Sequence, residues 1–180
     1  MTLTVLEPEG LYPDTDLEQR IMGPSVRILQ GPCKTSLAEL PDELCQQAEG
    51  LMTLRMAVPA DQIARFPKLK VVIRMGVGYD RVDRAACAAR GIKVCNVPDY
   101  GTQEVAEFAV LMALGLRRGL TLYHDTQRGP TPAKWAVMPH PAVRRQEVQT
   151  FGILGLGRIG TAAALRADPA VVASLRYQYS

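Results

Sequence analysis

Short apolar, β-branched runs alternate with longer amphipathic runs over the first hundred positions. Residues 2–6 (TLTVL), 26–29, 50–54, 70–74 (KVVIR) and 92–95 (IKVC) are too short for helices and read as strands. Residues 14–22, 37–48, 59–66 and 82–90 read as helices between them. Local signals agree with this reading. Acids early and Arg20 late in 14–22 suit the helix dipole. Pro59 stands at the start of one helix and Gly91 just past the end of another. Strands separated by helices predict βαβ units, so residues 1–98 are expected to form a five-stranded parallel sheet flanked by helices.

The pattern then changes. Residues 102–123 (TQEVAEFAVLMALGLRRGLTLY) predict one long helix, apolar nearly all round from Val105 to Leu116, which calls for burial on most faces. Residues 125–141, with Pro130, Pro132, Pro139 and Pro141, predict a loop or linker. Residues 149–154 read as a strand that runs into a glycine turn and a helix ending near Ala167. This strand–turn–helix is expected to pack against 102–123. Residues 168–180 alternate apolar and polar positions in a way that fits a strand, and fit equally an unrelated tail; the tail is the favoured reading. Residues 1–98 are expected to form one domain and 99–180 a second, partial one.

Composition narrows the class without naming a chemistry. With 47% apolar and 22% charged residues over 180 positions, the chain is an ordinary globular sequence. No apolar run is long enough to span a membrane, and the N-terminus lacks the basic region of a secretory signal. Cys33, Cys45, Cys87 and Cys95 show no C-x-x-C spacing, and there are two histidines, so no metal site is expected; reduced thiols in the cytoplasm are. The net charge of +3 falls entirely in 99–180, which suits an anionic cofactor and is too small to imply nucleic acid.

Three motifs carry candidate chemistry. In Gly155-x-Gly157-x-x-Gly160, after a strand and before a helix, Gly155 permits a tight turn. Gly157 lets a pyrophosphate approach the backbone, and Gly160 lets the helix lie close to the strand. The N–H groups of Arg158 and Ile159 would then face the anion. In Arg74-Met75-Gly76-Val77-Gly78 a strand ends in a glycine turn preceded by a cation, an arrangement that can bind a carboxylate. The third segment, Asn96-Val97-Pro98 followed by Gly101-Thr102-Gln103-Glu104, reads as the cap of the long helix.

Taken together, LKVVIRMGVGYDRVDRAACAARGIKVCNVPDYGTQEVAEFAVLMALGLRR and FGILGLGRIGTAAALRA resemble the NAD-dependent D-isomer-specific 2-hydroxyacid dehydrogenases. Arg74 and the phrase VCNVP are most similar to the branch of C-terminal-binding protein corepressors. The resemblance spans residues 1–167 and is concentrated in 68–120 and 149–167. It implies an α/β fold: a flavodoxin-like parallel-sheet substrate domain plus an incomplete Rossmann NAD-binding domain, around a cleft. It implies that Val77 and Gly78 hold the substrate carboxylate through their backbone, with Arg74 as carboxylate-binding arginine. It places Val105 near the nicotinamide phosphate, and Gly155, Gly157, Arg158, Ile159 and Gly160 at the pyrophosphate. It makes helix 102–123 a homodimer element.

The resemblance also sets expectations by departure. The family's catalytic Arg, Glu and His lie later than any residue here, so no catalytic residue is assigned and the chain reads as truncated after the fingerprint. The ribose-binding acid expected about 20 residues beyond the glycines has no counterpart, since Asp168 comes too early. NAD(H) is the expected cofactor, with NADP(H) left open. Small 2-hydroxy or 2-oxo acids are the expected substrates. Two further readings stay open: a non-enzymatic NAD(H)-sensing or dimerising module of the corepressor type, for which a nuclear location is also open, and a free-standing flavodoxin-like anion-binding domain.

Overall fold

β3 (Gly50–Thr53) is buried at all four positions, because it lies at the centre of a sheet covered on both faces. The computed structural model describes residues 2–129, 137–141, 143–145, 149–167 and, for the backbone, 174–178. The chain divides into two compact units, Met1–Tyr100 and Gly101–Ser180. In the first, β1 (Leu3–Glu7), β2 (Val26–Gln30), β3, β4 (Val71–Arg74) and β5 (Lys93–Asn96) form one sheet in the order β2-β1-β3-β4-β5. Every pairing is parallel, as the strand–helix alternation predicts. This strand order is the flavodoxin-like one.

The connections are α1 (Asp16–Met22), a 3-10 turn (Leu37–Glu39), α2 (Asp42–Gln47), α3 (Ala60–Ala64) and α4 (Arg84–Ala89). Leu6, Leu51 and Val72 from the strands meet Leu37, Cys45, Ile63, Phe66 and Cys87 in one core. Phe66 is fully buried, and truncating such a residue to Ala costs about 3–5 kcal/mol.

All four helices of this unit are shorter than the sequence pattern predicts, and two of them show why. The helix expected over 37–48 is broken at Leu40-Pro41. Leu40 is extended (φ −69°, ψ 133°), the conformation a following proline imposes. Arg65 compensates by donating to the Leu37 carbonyl at 2.8 Å, the Leu40 carbonyl at 2.6 Å and Asp42 Oδ1 at 2.7 Å. The helix expected over 82–90 starts later. Val82 makes a parallel bridge with Val58, and Asp83 caps α4 by accepting the Ala86 N–H at 2.9 Å.

The second unit contains α5 (Thr102–Arg117), α6 (Leu120–Arg128), β6 (Thr150–Leu154), α7 (Arg158–Ala167) and β7 (Ser174–Gln178). The single helix expected over 102–123 is in fact two. Gly119 adopts a left-handed φ of 64° and ends the first. Burial on most faces is also corrected. Ala106 and Val110, with Leu114, pack on Ala162, Ala163 and Ala167 of α7. Val105, Phe108, Leu111, Met112 and Leu116 are exposed. Within 125–141, α6 continues to Arg128, and residues 130–136 lie outside the described residues. β7 pairs in parallel with β6, so the strand reading of 174–178 replaces the tail reading: this stretch alternates, and β6 offers a partner edge.

Candidate functional site

Two glycine turns stand at the carboxyl ends of parallel strands, one in each unit. The first follows β4. Its chain leaves the sheet with Met75 N–H bonded to the Thr53 carbonyl (2.8 Å) and Gly76 N–H to the Arg74 carbonyl (2.8 Å). Arg74 folds back across Gly76, and a Cβ at 76 would overlap the guanidinium and displace that movable end. The cation therefore lies over the turn that follows it.

β5 fixes the other side of the turn. Val97 N–H donates to the Gly76 carbonyl at 3.1 Å, and Asn96 Nδ2 donates to the Val77 carbonyl at 2.8 Å. A trans peptide points its N–H opposite to its C=O. With the Val77 carbonyl drawn toward Asn96, the Gly78 N–H faces the other way. Val77 and Gly78 are exposed, and neither N–H donates within the described residues. Two open donors beside a guanidinium match the bidentate demand of a carboxylate. Asn96 is the residue that motif reading quoted without assigning it this role; a polar side chain at a strand's carboxyl end beside a glycine turn was the available signal.

The second turn follows β6. Gly155 has φ +87°, a conformation that L side chains rarely adopt. Gly160 packs so tightly under the turn that a Cβ would overlap the Gly155 carbonyl oxygen. Gly157 is different: a Cβ there meets nothing within 4 Å, and its φ is not left-handed. Nothing in the described chain requires a glycine at 157. The space over its backbone is the space an approaching pyrophosphate would use, so the loop fits a dinucleotide. α7 begins at Arg158, with Thr161 N–H bonded to the Gly157 carbonyl at 2.8 Å. The first-turn N–H groups at 158–160 precede that bond and point out of the helix start. Arg158 is exposed and Ile159 half-buried.

Arg166, near the far end of α7, ties that helix to α5, donating to Gln103 Oε1 (2.6 Å) and Glu107 Oε1 (3.2 Å). Val105 lies in the first turn of α5, half exposed. Among the described residues no group of three or more His, Cys, Asp or Glu could hold a metal ion. Nor is any helix of theirs long and apolar enough to cross a membrane. Cys33, Cys45 and Cys87 are buried free thiols, and Cys95 is exposed.

Known proteins resemble this chain in sequence and in fold. The family description "D-isomer specific 2-hydroxyacid dehydrogenase, catalytic domain" matches residues 18–176. The chain is 32% identical over 161 residues to glyoxylate/hydroxypyruvate reductase A of Arabidopsis thaliana, covering 89% of this chain and 49% of that protein. It is 34% identical over 132 residues to hydroxyphenylpyruvate reductase of Plectranthus scutellarioides, covering 71% and 41%. Among solved structures it superposes on the NADPH-dependent glyoxylate/hydroxypyruvate reductase of Sinorhizobium meliloti in complex with citrate. That match has a TM-score of 0.79 and 30% identity, over 97% of this chain and 53% of that one. It shares the fold of D-lactate dehydrogenase from Aquifex aeolicus, complexed with NAD and lactic acid, with a TM-score of 0.77 and 22% identity, over 98% and 51%. The chain thus spans about half the length of the curated relatives it matches. With a carboxylate-sized turn after β4, a dinucleotide-shaped loop after β6 and a family match over most of its length, this chain belongs to the D-isomer specific 2-hydroxyacid dehydrogenase family.

Proposed function

We propose that the chain carries the substrate-anchoring and phosphate-binding parts of an NAD(P)-dependent oxidoreductase that interconverts 2-hydroxy and 2-oxo acids. Residues 1–98 form the substrate domain and 99–180 the cofactor domain in this reading. The observation that carries it is Gly157, a glycine with open space above it and no internal reason to be one. The relatives named glyoxylate, hydroxypyruvate and hydroxyphenylpyruvate reductase support a small 2-oxo acid as substrate.

Val77 and Gly78 N–H groups, with the Arg74 guanidinium, hold the substrate carboxylate. Gly155, Gly157 and Gly160 shape the loop that receives the pyrophosphate, and the N–H groups of Arg158 and Ile159 bind it. Val105 approaches the nicotinamide phosphate. When bound, the nicotinamide supplies or accepts the hydride. The Sinorhizobium meliloti reductase, 30% identical, is NADPH-dependent. We therefore expect NADP(H) to bind as well as NAD(H).

Moving the hydroxyl proton needs a group of its own. His124 and His140 both precede the glycine loop and match no catalytic position of the family pattern. Residues 1–180 alone are thus expected to bind ligands without turnover. The exposed stripe Val105, Phe108, Met112 and Leu116 on α5 supports a homodimer through this helix, and the free thiols suit the cytoplasm. Fluorescence titration with NADH and calorimetry with oxalate test the two sites. An unmodified chain that binds neither would overturn the reading. Robust NADH-dependent reduction of glyoxylate would overturn the expectation of no turnover.

A further inference from the structure

The strand order of the first unit reverses between β1 and β3, with β2 outward on one side and β4 and β5 on the other. In open α/β sheets a ligand binds at such a switch point, outside the carboxyl ends of the strands. Here the chain fills that position itself. Glu9, two residues past β1, is 4% exposed. Its Oε1 accepts from the Thr53 hydroxyl at 2.6 Å and from the N–H groups of Leu54 at 2.7 Å, Arg55 at 2.9 Å and Met56 at 3.2 Å. Its Oε2 accepts from Arg55 N–H at 3.0 Å and lies 3.5 Å from Arg55 Nε. Successive N–H groups converging on one anion form a backbone nest. Burial pushes the Glu9 carboxyl up, but the bonds from Thr53, Leu54, Arg55 and Met56 outweigh it and hold the group below the usual carboxylate range.

The loop fixed in this way is bonded in turn to the glycine turn after β4. The Thr53 carbonyl takes the Met75 N–H (2.8 Å), and Arg81 Nη1 donates to the Arg55 carbonyl (2.7 Å). Val58 N–H donates to the Arg81 carbonyl (2.8 Å), and Asp83 N–H to the Val58 carbonyl (3.0 Å). These bonds grip both ends of the segment 75–83 that contains Val77 and Gly78. We propose that Glu9 is a built-in anion that closes the β1/β3 switch point and, through the loop 53–58, positions the carboxylate-binding turn. Glu9 is a positioning residue, since it acts through that loop and turn, and the assignment rests on the reading of Val77 and Gly78 given above. It also explains why a flavodoxin-like sheet would take its ligand after β4: the switch point is already occupied by a carboxylate.

The test compares the unmodified chain with Glu9→Gln, which keeps the shape, and Glu9→Ala, which opens the nest. Amide exchange is read residue by residue, well below the melting temperature, with and without acetate at constant ionic strength. Exchange at Leu54–Met56 and at Met75 and Asp83, whose N–H groups donate to the Thr53 and Val58 carbonyls, should accelerate about tenfold or more in both variants. Acetate, entering the emptied nest, should restore both segments in Glu9→Ala, and chloride should not. Oxalate affinity should fall about tenfold in Glu9→Gln while NADH affinity is unchanged. Acceleration confined to Leu54–Met56, or failure of acetate to restore protection, overturns the proposal. Should Glu9→Ala not fold, Glu9→Gln and Thr53→Val decide by exchange at Met75 and Asp83 alone. An unmodified chain that binds no oxalate, or an Arg74→Ala variant that binds it normally, overturns the carboxylate-site reading and leaves the exchange coupling to judge Glu9.

Discussion

The turns after β4 and β6 are both glycine turns at strand ends, and they require their glycines for different reasons. At Gly160 the requirement is internal and rigid, because a side chain would enter the Gly155 carbonyl. At Gly76 it is internal and soft, because what a side chain would meet is the movable end of Arg74. At Gly157 no internal requirement exists. At a helix start after a strand, such a glycine leaves the space over the backbone open to an anion. This comparison separates residues that build a site from residues that leave room for a ligand.

The largest effect is expected at the rigid position. Gly160→Val should destabilise the second unit by roughly 3 kcal/mol or more, since backbone must move. Thermal unfolding followed by circular dichroism measures it, and an unchanged midpoint would show that the turn relaxes freely. Gly157→Val inverts that outcome. Its stability should fall by no more than about 1 kcal/mol, the cost of replacing glycine at the N-cap, while NADH affinity falls by about a hundredfold or more, since a bulky side chain would fill the pyrophosphate's approach. A larger loss of stability there would erase the distinction.

The soft position should give a third result. Gly76→Ala displaces the Arg74 guanidinium and should weaken oxalate binding by about ten- to a hundredfold, as should Arg74→Ala. NADH binding should be untouched in both, and calorimetry of each ligand reads this directly. Phe108→Asp places a charge on the exposed stripe of α5, and light scattering should then show a larger monomer fraction. Clean monomeric behaviour of the unmodified chain would remove the dimer from the proposal.

The smallest effect is in acid. Hydrogen bonds from the Thr35 hydroxyl and the 34–36 N–H groups hold the Glu39 carboxyl down to about 2, and Glu9 is also held below its ordinary value. Both folded values are depressed. Their stabilisation is therefore complete above about pH 5 and is lost as pH falls through the carboxylate range toward the folded values. Urea midpoints of the first unit should stay flat above that pH and decline below it. Glu9→Gln should flatten part of the decline.

The alternation of strands and helices, the parallel order of pairing and the phosphate-loop glycines were all legible in the sequence. Each is written in neighbouring residues: short β-branched runs such as KVVIR, helix punctuation such as Gly91, and three glycines at fixed spacing. Where single residues override a pattern, local reading failed. Pro41 breaks a helix that the apolar periodicity carried through it. Gly119 ends another. For 174–178, alternation alone left strand and tail undecided, because a strand is settled by the edge it pairs with, and β6 is some 20 residues away.

Periodicity and spacing determined that this chain is an α/β protein with glycine turns after two of its strands. Tertiary structure decided which groups serve those turns. Asn96 and Val77 are 19 residues apart, and Glu9 and Thr53 are 44 apart; no local pattern links either pair. Parallel pairing of β1 with β3 and of β4 with β5 brings these strand ends side by side. A buried carboxylate and a strand-end amide then become parts of a site because sheet formation sets the distances between residues remote in sequence, whereas turn chemistry depends on neighbours alone.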